Sequence, residues 1–156
     1  MDNCGRDILQ YILKYLDNIS LWTFSQTCKK YTIYKPNFKT NPICEAAKYG
    51  YLNIVKNLYE QGYKLNTFTI SDASYSGNFD LVKFLVSVKC KHNELGIFGA
   101  ISGKHIHILK YLISINCQLS NILGLAKIIG SQGTIDILNY MILHYPDLNN
   151  SYYKYV

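Results

Sequence analysis

Residues 45–62 read EAAKYGYLNIVKNLYEQG, and the same outline returns twice further along the chain. It recurs at residues 71–89 as SDASYSGNFDLVKFLVSVK and at residues 98–116 as FGAISGKHIHILKYLISIN. Alignment on the second apolar stripe places four branched residues at intervals of 27, 27 and 29: Val55, Val82, Leu109 and Leu138. A fixed period of roughly 20–50 residues is typical of stacked-repeat proteins. The sequence therefore predicts about four copies of one small structural unit.

Each unit divides into two short helices. One face of the first helix carries small side chains, such as those of Ala46 and Ala47. A neighbouring backbone is therefore able to approach this face closely. We expect it to end at Gly50, or at Gly77 in the next unit, because glycine readily adopts the left-handed conformation that terminates helices. The second helix carries apolar residues at spacings of three and four, which form one stripe wide enough to bury. Neither helix can bury its apolar face alone, so each unit is expected to stack on the next in an all-α solenoid.

Three quoted stretches of the first unit resemble the ankyrin repeat. Residues 41–47, NPICEAA, resemble the family's TPLHxAA opening, and residues 50–58, GYLNIVKNL, resemble its GHLEVVKLL body. Residues 60–66, EQGYKLN, resemble its ExGADVN close. The third unit departs from the pattern, with LGIF at residues 95–98 where TPLH belongs. The residue bias is also similar to that of diverged ankyrin proteins of large DNA viruses, which would make this a viral protein acting on its host.

The resemblance implies a domain order and a binding face. We assign residues 40–66, 67–93, 94–120 and 121–149 to four repeats, and residues 150–156 to a tail. The units are shorter than the ordinary ankyrin repeat of 33 residues, and the shortfall lies where that family has a protruding β-hairpin finger. The concave surface of the first helices is therefore the expected site of partner binding. Its predicted residues are Lys48, Tyr49, Tyr75, Ser76, Ser102, Ser131 and Gln132.

Residues 1–39 do not fit the repeat. Residues 7–16, DILQYILKYL, predict a helix, and Asp17–Asn18 marks a break after it. One face of this predicted helix carries four apolar residues: Ile8, Leu9, Ile12 and Leu16. Ser20 is placed to cap a second helix that runs through Leu21, Phe24 and Cys28.

This N-terminal segment resembles an F-box. The acidic and apolar opening falls at residues 7–9, Tyr15 and Leu16 supply the family's YL pair, and residues 27–31, TCKKY, resemble its VCKxW-like close. The family's Leu-Pro pair is absent, because Cys4 and Gly5 occupy its place. The resemblance implies that the apolar face of Ile8, Leu9, Ile12 and Leu16 binds a Skp-family adaptor of a cullin ubiquitin ligase. The alternative is that these helices only cap the exposed apolar end of the repeat stack.

No pattern of catalytic residues is present, and we expect a non-enzymatic protein without a cofactor. The chain has no glycine-rich phosphate loop, GxSxG elbow or HExxH motif. The CxH pair at Cys90 and the HxH pair at His105 lack the usual spacing of zinc ligands, so no metal site is expected. Cys90 and Cys117 fall at the same repeat position and are interpreted as small buried residues.

The net charge of +6 raises the question of nucleic-acid binding. The basic residues are fifteen lysines against the single Arg6, and the lysines are scattered rather than clustered. Arginine is the residue that bidentate phosphate and guanine recognition favours, so a nucleic-acid-associated protein is the less favoured interpretation. The lysine column Lys56, Lys83 and Lys110 is interpreted as a solvated face.

The cysteine pattern and the hydropathy of the chain indicate the cellular compartment. Five widely spaced cysteines with no CxxC pair suit a reducing compartment. No apolar run approaches the roughly 18 residues of a membrane span, and the N-terminus lacks a signal-peptide pattern. We therefore expect a cytoplasmic protein whose partners are proteins. Two functions stay open at this point: a substrate receptor that links a target to a ubiquitin ligase, and a plain binding or blocking scaffold.

Overall fold

The structure is a computed structural model that describes residues 11–12, 15–27, 41–91, 93–117 and 119–146. The regular secondary structure of these residues is entirely helical, which confirms the all-α prediction for the described part of the chain. Helix α1 (Asn18–Thr27) comes first. Four helix pairs follow: α2 (Pro42–Lys48) with α3 (Leu52–Glu60), α4 (Thr67–Ser76) with α5 (Phe79–Ser87), α6 (Glu94–Ser102) with α7 (Ile106–Ser114), and α8 (Ile122–Gln132) with α9 (Ile135–His144).

The first helices of successive pairs pack against one another. Helix α2 contacts α4, α4 contacts α6, and α6 contacts α8. The second helices α3, α5 and α7 each pack against the first helix of their own pair, and α1 contacts α2. This is the order of contacts expected when units that cannot bury their apolar faces alone lean on their neighbours. The assignment of these pairs to the ankyrin family stays a prediction.

An asparagine side chain caps the start of every first helix. The Asn41 Oδ1 atom accepts a hydrogen bond from the Ile43 N–H, and the Asn93 side chain accepts one from the Leu95 N–H. Asn66 forms a reciprocal capping box with Thr69, and Asn121 caps through the Gly124 N–H. Such caps satisfy amide groups that have no partner within the helix. Only residues 61–66 separate α3 from α4, so a short connection joins the first two helix pairs.

The period of 27 residues is repeated in the backbone conformation. Two series of residues adopt positive φ angles: Gly50, Gly77 and Lys104 after the first helices, and Gly62, Lys89 and Asn116 after the second helices. The prediction that the first helices end at left-handed Gly50 and Gly77 is thus confirmed. Gly133, at the matching position of the last pair, has φ −66° and ψ 162°, which is extended backbone. The last pair therefore departs from the geometry of the other three.

One apolar core runs through the described residues, from Ile19 in α1 to Met141 in α9. In the first pair it contains Ala46 and Ala47 from α2 and the stripe residues Val55 and Leu58 from α3, all fully buried. The small residues bring the helix backbones together, and the larger ones fill the space between the two rows of helices. None of the described helices has the length and apolar character that crossing a membrane requires.

Helix α1 corrects two details of the sequence interpretation. Ser20 is not its cap, because the helix begins at Asn18 and the Asp17 carboxylate accepts a hydrogen bond of 2.7 Å from the Ser20 N–H. The buried residues of α1 are Ile19 and Trp22, whereas Leu21 and Phe24 are only partly buried. The predicted continuation to Cys28 lies outside the described residues.

Candidate protein-binding surfaces

Three exposed side chains precede α1 and form the first candidate surface, here named the N-terminal patch: Tyr11, Ile12 and Tyr15. Their exposed fractions are 65%, 51% and 68%. The rings of Tyr11 and Tyr15 lie 5.1 Å apart, and the Tyr15 hydroxyl donates to the Tyr11 hydroxyl at 3.4 Å. Adjacent exposed apolar groups of this kind are typical of interaction sites.

The N-terminal patch includes part of the predicted adaptor-binding face. Ile12 is a member of both sets, and Leu16 is half-buried. Ile8 and Leu9 lie outside the described residues. The exposure of Tyr11 and Tyr15 could not be deduced from helical spacing.

The second candidate surface is a groove along the first helices, here named the first-helix groove. It consists of two depressions of about 690 Å³ and about 380 Å³ that share Lys48 and Asp72. The larger depression is lined by Asn18, Asn41, Cys44, Glu45, Lys48, Tyr49, Asn66, Phe68 and Asp72. The smaller is lined by Lys48, Ser71, Asp72, Tyr75, Phe98, Gly99, Ser102 and Gln132.

The groove brings together five of the seven residues predicted for the concave face. Lys48, Tyr75, Ser102 and Gln132 line the smaller depression, and Tyr49 lines the larger one. The other two predicted residues, Ser76 and Ser131, line neither depression. The Ser76 hydroxyl donates to the Ala73 carbonyl at 2.8 Å, and the Ser131 hydroxyl donates to the Ile128 carbonyl at 3.3 Å. Both hydroxyls therefore serve their own helices.

The floor of the groove depends on a close approach between α4 and α6. Gly99 in α6 is buried, and a Cβ atom added there would collide with the backbone carbonyl oxygen of Ser71 in α4. The absence of a side chain at Gly99 thus lets the two backbones meet. Phe98 and Asp72 flank this contact and line the groove above it. Sequence reasoning missed both residues, although they lie next to predicted small-faced positions.

Asp72 has an unusual environment for a charged residue of this chain. Its side chain is half-buried, and burial raises the pKa of the Asp72 carboxyl above its ordinary value. The positive charge of Lys48 opposes that shift, but no ion pair within 4.0 Å joins them. No described residue donates a hydrogen bond to this carboxylate. Asp80, in contrast, has Lys83 at 3.9 Å, and Asp17 accepts from the start of α1.

The lysine column lies over aromatic rings of the second helices. The Lys56 ammonium lies 5.4 Å from the ring centre of Phe84, Lys83 lies 4.2 Å from that of Phe79, and Lys110 lies 5.2 Å from that of Tyr140. All three lysines are exposed, and each such contact contributes roughly 0.5–1 kcal/mol at an exposed site.

The cysteine and histidine positions considered for zinc serve other contacts. The Cys90 thiol donates to the Asn66 carbonyl, and the His105 Nε2 atom lies 3.2 Å from the Tyr75 carbonyl oxygen. Across the described ranges, no three His, Cys, Asp or Glu side chains come close enough together to hold a metal ion. His92, the partner of Cys90 in the CxH pair, lies outside those ranges.

The N-terminal part of the chain is similar to a known protein family. Residues 2–31 match the model of the F-box domain. The matched range includes the N-terminal patch and all of α1, and it supports the F-box interpretation of this segment. A search of curated proteins found no match for the chain, and a search of solved structures also found none.

Proposed function

We propose that this protein is a substrate receptor: the N-terminal segment binds a Skp-family adaptor of a cullin ubiquitin ligase, and the helix pairs hold a target protein. Such a chain performs no chemistry itself. It raises the local concentration of the target near the ligase, because two tethered binding events become one effectively intramolecular encounter. The match of residues 2–31 to the F-box domain carries the proposal.

The N-terminal patch supports the adaptor half of the proposal. Tyr11, Ile12 and Tyr15 lie within the matched segment and expose most of their side-chain surface. Aromatic side chains beside a branched aliphatic residue are the kind of group that contributes most of the binding energy at protein interfaces. We therefore propose that these three side chains contact the adaptor.

The buried residues of α1 give the capping function a separate location. Ile19 and Trp22 join the core that continues into the helix pairs, so α1 closes one end of that core. The N-terminal patch lies before α1 and does not take part in this packing. Capping and adaptor binding therefore require different side chains, and one segment is able to do both.

The helix pairs support the target-binding half. We propose that they form a short ankyrin-like stack whose first-helix groove is the target site. The groove crosses α2, α4 and α6 and reaches Gln132 in α8. Contacts with successive units give a stacked-repeat protein an extended recognition surface.

The test is co-purification of the full chain with a recombinant Skp-family adaptor. The informative variant is Ile12→Asp, and the matched control is Ile135→Asp on α9, since both isoleucines are exposed, by 51% and 72%. Introducing a carboxylate at an exposed position should leave the fold intact, and circular dichroism checks this. We expect the parent and Ile135→Asp to retain the adaptor and Ile12→Asp to lose at least tenfold in affinity.

Two results would count against the adaptor half. Failure of the parent chain to bind any member of a panel of Skp-family adaptors would reduce the protein to a binding or blocking scaffold with a capped end. Equal weakening by Ile12→Asp and Ile135→Asp would indicate nonspecific association. A third variant, Ile19→Ala, separates capping from adaptor binding. It should lower the free energy of unfolding and leave the adaptor affinity of the folded chain unchanged.

A further inference from the structure

Asp72 stands out among the acidic residues because its half-buried carboxylate lies in the groove with no ion pair and no hydrogen-bond donor among the described residues. Burial is the first cause that raises the pKa of the Asp72 carboxyl above its ordinary value. Lys48 is close enough to influence it but makes no ion pair with it. Taking a carboxylate partly out of water without a donor costs free energy that a hydrogen-bonded cation would recover.

The charge around the groove favours a basic occupant. Among the described residues, the charged side chains that line it are Glu45, Lys48 and Asp72, which gives two negative charges against one positive. The chain as a whole carries a net charge of +6. The groove is therefore a negative site on a basic protein, and electrostatic complementarity would direct a positively charged group of the partner towards Asp72.

The shape of the groove favours a peptide segment. Exposed aromatic side chains stand at Tyr49, Phe68 and Tyr75, and the Tyr49 ring stacks on that of Tyr51 with 5.7 Å between centres. Rigid aromatic rings provide contact area at a low entropic cost. The smaller depression is also lined by the small side chains of Ser71 and Ser102, whose hydroxyl groups are able to bond to a peptide backbone.

We propose that the first-helix groove binds an extended peptide segment of the target protein and that a lysine or arginine side chain of this segment pairs with Asp72. Tyr75 and Phe68 flank the peptide on the two sides of that pair. This inference rests on the proposed function, since it specifies the chemistry of the target that the helix pairs hold.

The probe is a displayed library of random dodecapeptides, selected against the immobilised full-length chain. Peptides that survive selection are synthesised with a fluorescent label, and their affinities are measured by anisotropy. The key variant is Asp72→Asn, and the matched control is Asp80→Asn, which removes an exposed carboxylate on α5 outside the groove. Thermal melting checks that both variants fold.

We expect the selected peptides to share a lysine or arginine at one position. Asp72→Asn should lower the affinity of the chain for these peptides about tenfold, which corresponds to about 1.4 kcal/mol of binding free energy. Asp80→Asn should change this affinity less than twofold. Replacing the basic residue of the peptide by methionine should cost the same factor on the parent chain and nothing further on Asp72→Asn. That non-additivity assigns the lost interaction to the pair.

Several outcomes would overturn the inference: peptides without a shared basic residue, unchanged affinity for Asp72→Asn, or no selected peptide at all. The proposed function is tested separately from the role of Asp72. Peptides that lack a basic residue but are weakened by Tyr75→Ala would leave the groove as the target site and remove only the role of Asp72. The adaptor experiment with Ile12→Asp does not depend on the groove in any of these cases.

Discussion

The thiol of Cys117 donates a hydrogen bond of 3.0 Å to the backbone carbonyl oxygen of Asn93. The same contact occurs one period earlier, where the Cys90 thiol donates to the Asn66 carbonyl at 3.4 Å. Each cysteine follows the second helix of a pair, and each asparagine caps the first helix of the same pair. The contact therefore joins the end of the second helix to the start of the first. The buried cysteines are thus structural donors as well as small apolar residues.

The first prediction concerns stability at alkaline pH. Burial raises the pKa of the Cys90 and Cys117 thiols from 9.0 to about 11 in each case. A group whose pKa is raised on folding holds its proton more tightly in the folded chain, so the unfolded chain deprotonates first. The stabilising effect is complete below pH 9 and is lost as the pH rises to about 11. Each thiol should account for about 2–3 kcal/mol of that loss, by roughly 1.4 kcal/mol per pKa unit.

Urea unfolding of the parent and of Cys90→Ala/Cys117→Ala between pH 8 and pH 11 measures this effect. Lysine and tyrosine residues titrate in both proteins, so the difference in slope isolates the two thiols. The double variant should lose less stability than the parent across this range. Parallel curves would show that the thiols titrate alike in the folded and unfolded chains and would contradict the prediction.

Substitution of Gly99 should be destabilising. An alanine Cβ atom at this position would meet the Ser71 carbonyl oxygen, a backbone atom that cannot rotate away. The α4–α6 contact would have to open, at a cost of roughly 1–3 kcal/mol for overpacking. Gly96→Ala is the matched control in the same helix, since its nearest neighbour would be the Leu112 side chain at an ordinary 3.4 Å. In thermal unfolding, the melting temperature of Gly99→Ala should lie well below that of the parent, and that of Gly96→Ala should equal or exceed it.

The repeat and its helices were predictable because apolar spacing and glycine positions record them directly. Gly50 and Gly77 marked the ends of first helices, and the structure gives both the left-handed conformation. The buried face of α1 was not predictable in the same way. Leu21 and Phe24 are three residues apart and define one apolar face of the helix. Ile19 and Trp22 are also three residues apart and define another, so spacing alone cannot decide which face is buried. The choice depends on which face α2 covers.

The candidate site was only partly predictable for a similar reason. Residues such as Lys48, Tyr75 and Gln132 follow from the register of the repeat, because equivalent positions of stacked units share one surface. Asp72 has no such signal, since a single charged residue on a short helix is ordinarily solvated. Asp72 lines the smaller depression together with residues of other units, among them Phe98, and a linear pattern does not show which units meet there.

Lys104→Gly should stabilise the protein. Lys104 has φ +63° at the position where Gly50 and Gly77 stand in the preceding units. Left-handed backbone costs a residue with a Cβ atom roughly 1–2 kcal/mol, and glycine avoids that cost while losing some entropy on folding. We expect a net gain of about 0.5–1 kcal/mol in the free energy of unfolding. The control is Lys110→Gly in the interior of α7, which should destabilise by about 1 kcal/mol. A loss of stability with Lys104→Gly would contradict the left-handed assignment.

Glu94 should hold the last helix pair to the third one. Its Oε2 atom accepts hydrogen bonds from the Ser120 N–H at 3.0 Å, the Ser120 hydroxyl at 2.7 Å and the Asn121 N–H at 2.9 Å, directly before α8. These bonds, with the Ser120 hydroxyl first, hold the pKa of Glu94 below its ordinary value of 4.5. A depressed pKa stabilises the folded state above pH 4.5, and this contribution is lost as the pH falls below that value.

The corresponding variant is Glu94→Ala, and Glu60→Ala at the exposed end of α3 is its control. Glu94 is only partly buried, so screening by solvent limits the expected loss to about 1 kcal/mol or less. Hydrogen exchange at neutral pH should show faster opening of the α8 amide groups in Glu94→Ala, with α2 and α4 unchanged. This difference between the parent and the variant should shrink as the pH falls below 4.5, because protonation removes the carboxylate charge. Uniform acceleration throughout the chain would mean that the last pair does not open separately and that Glu94 stabilises the whole stack.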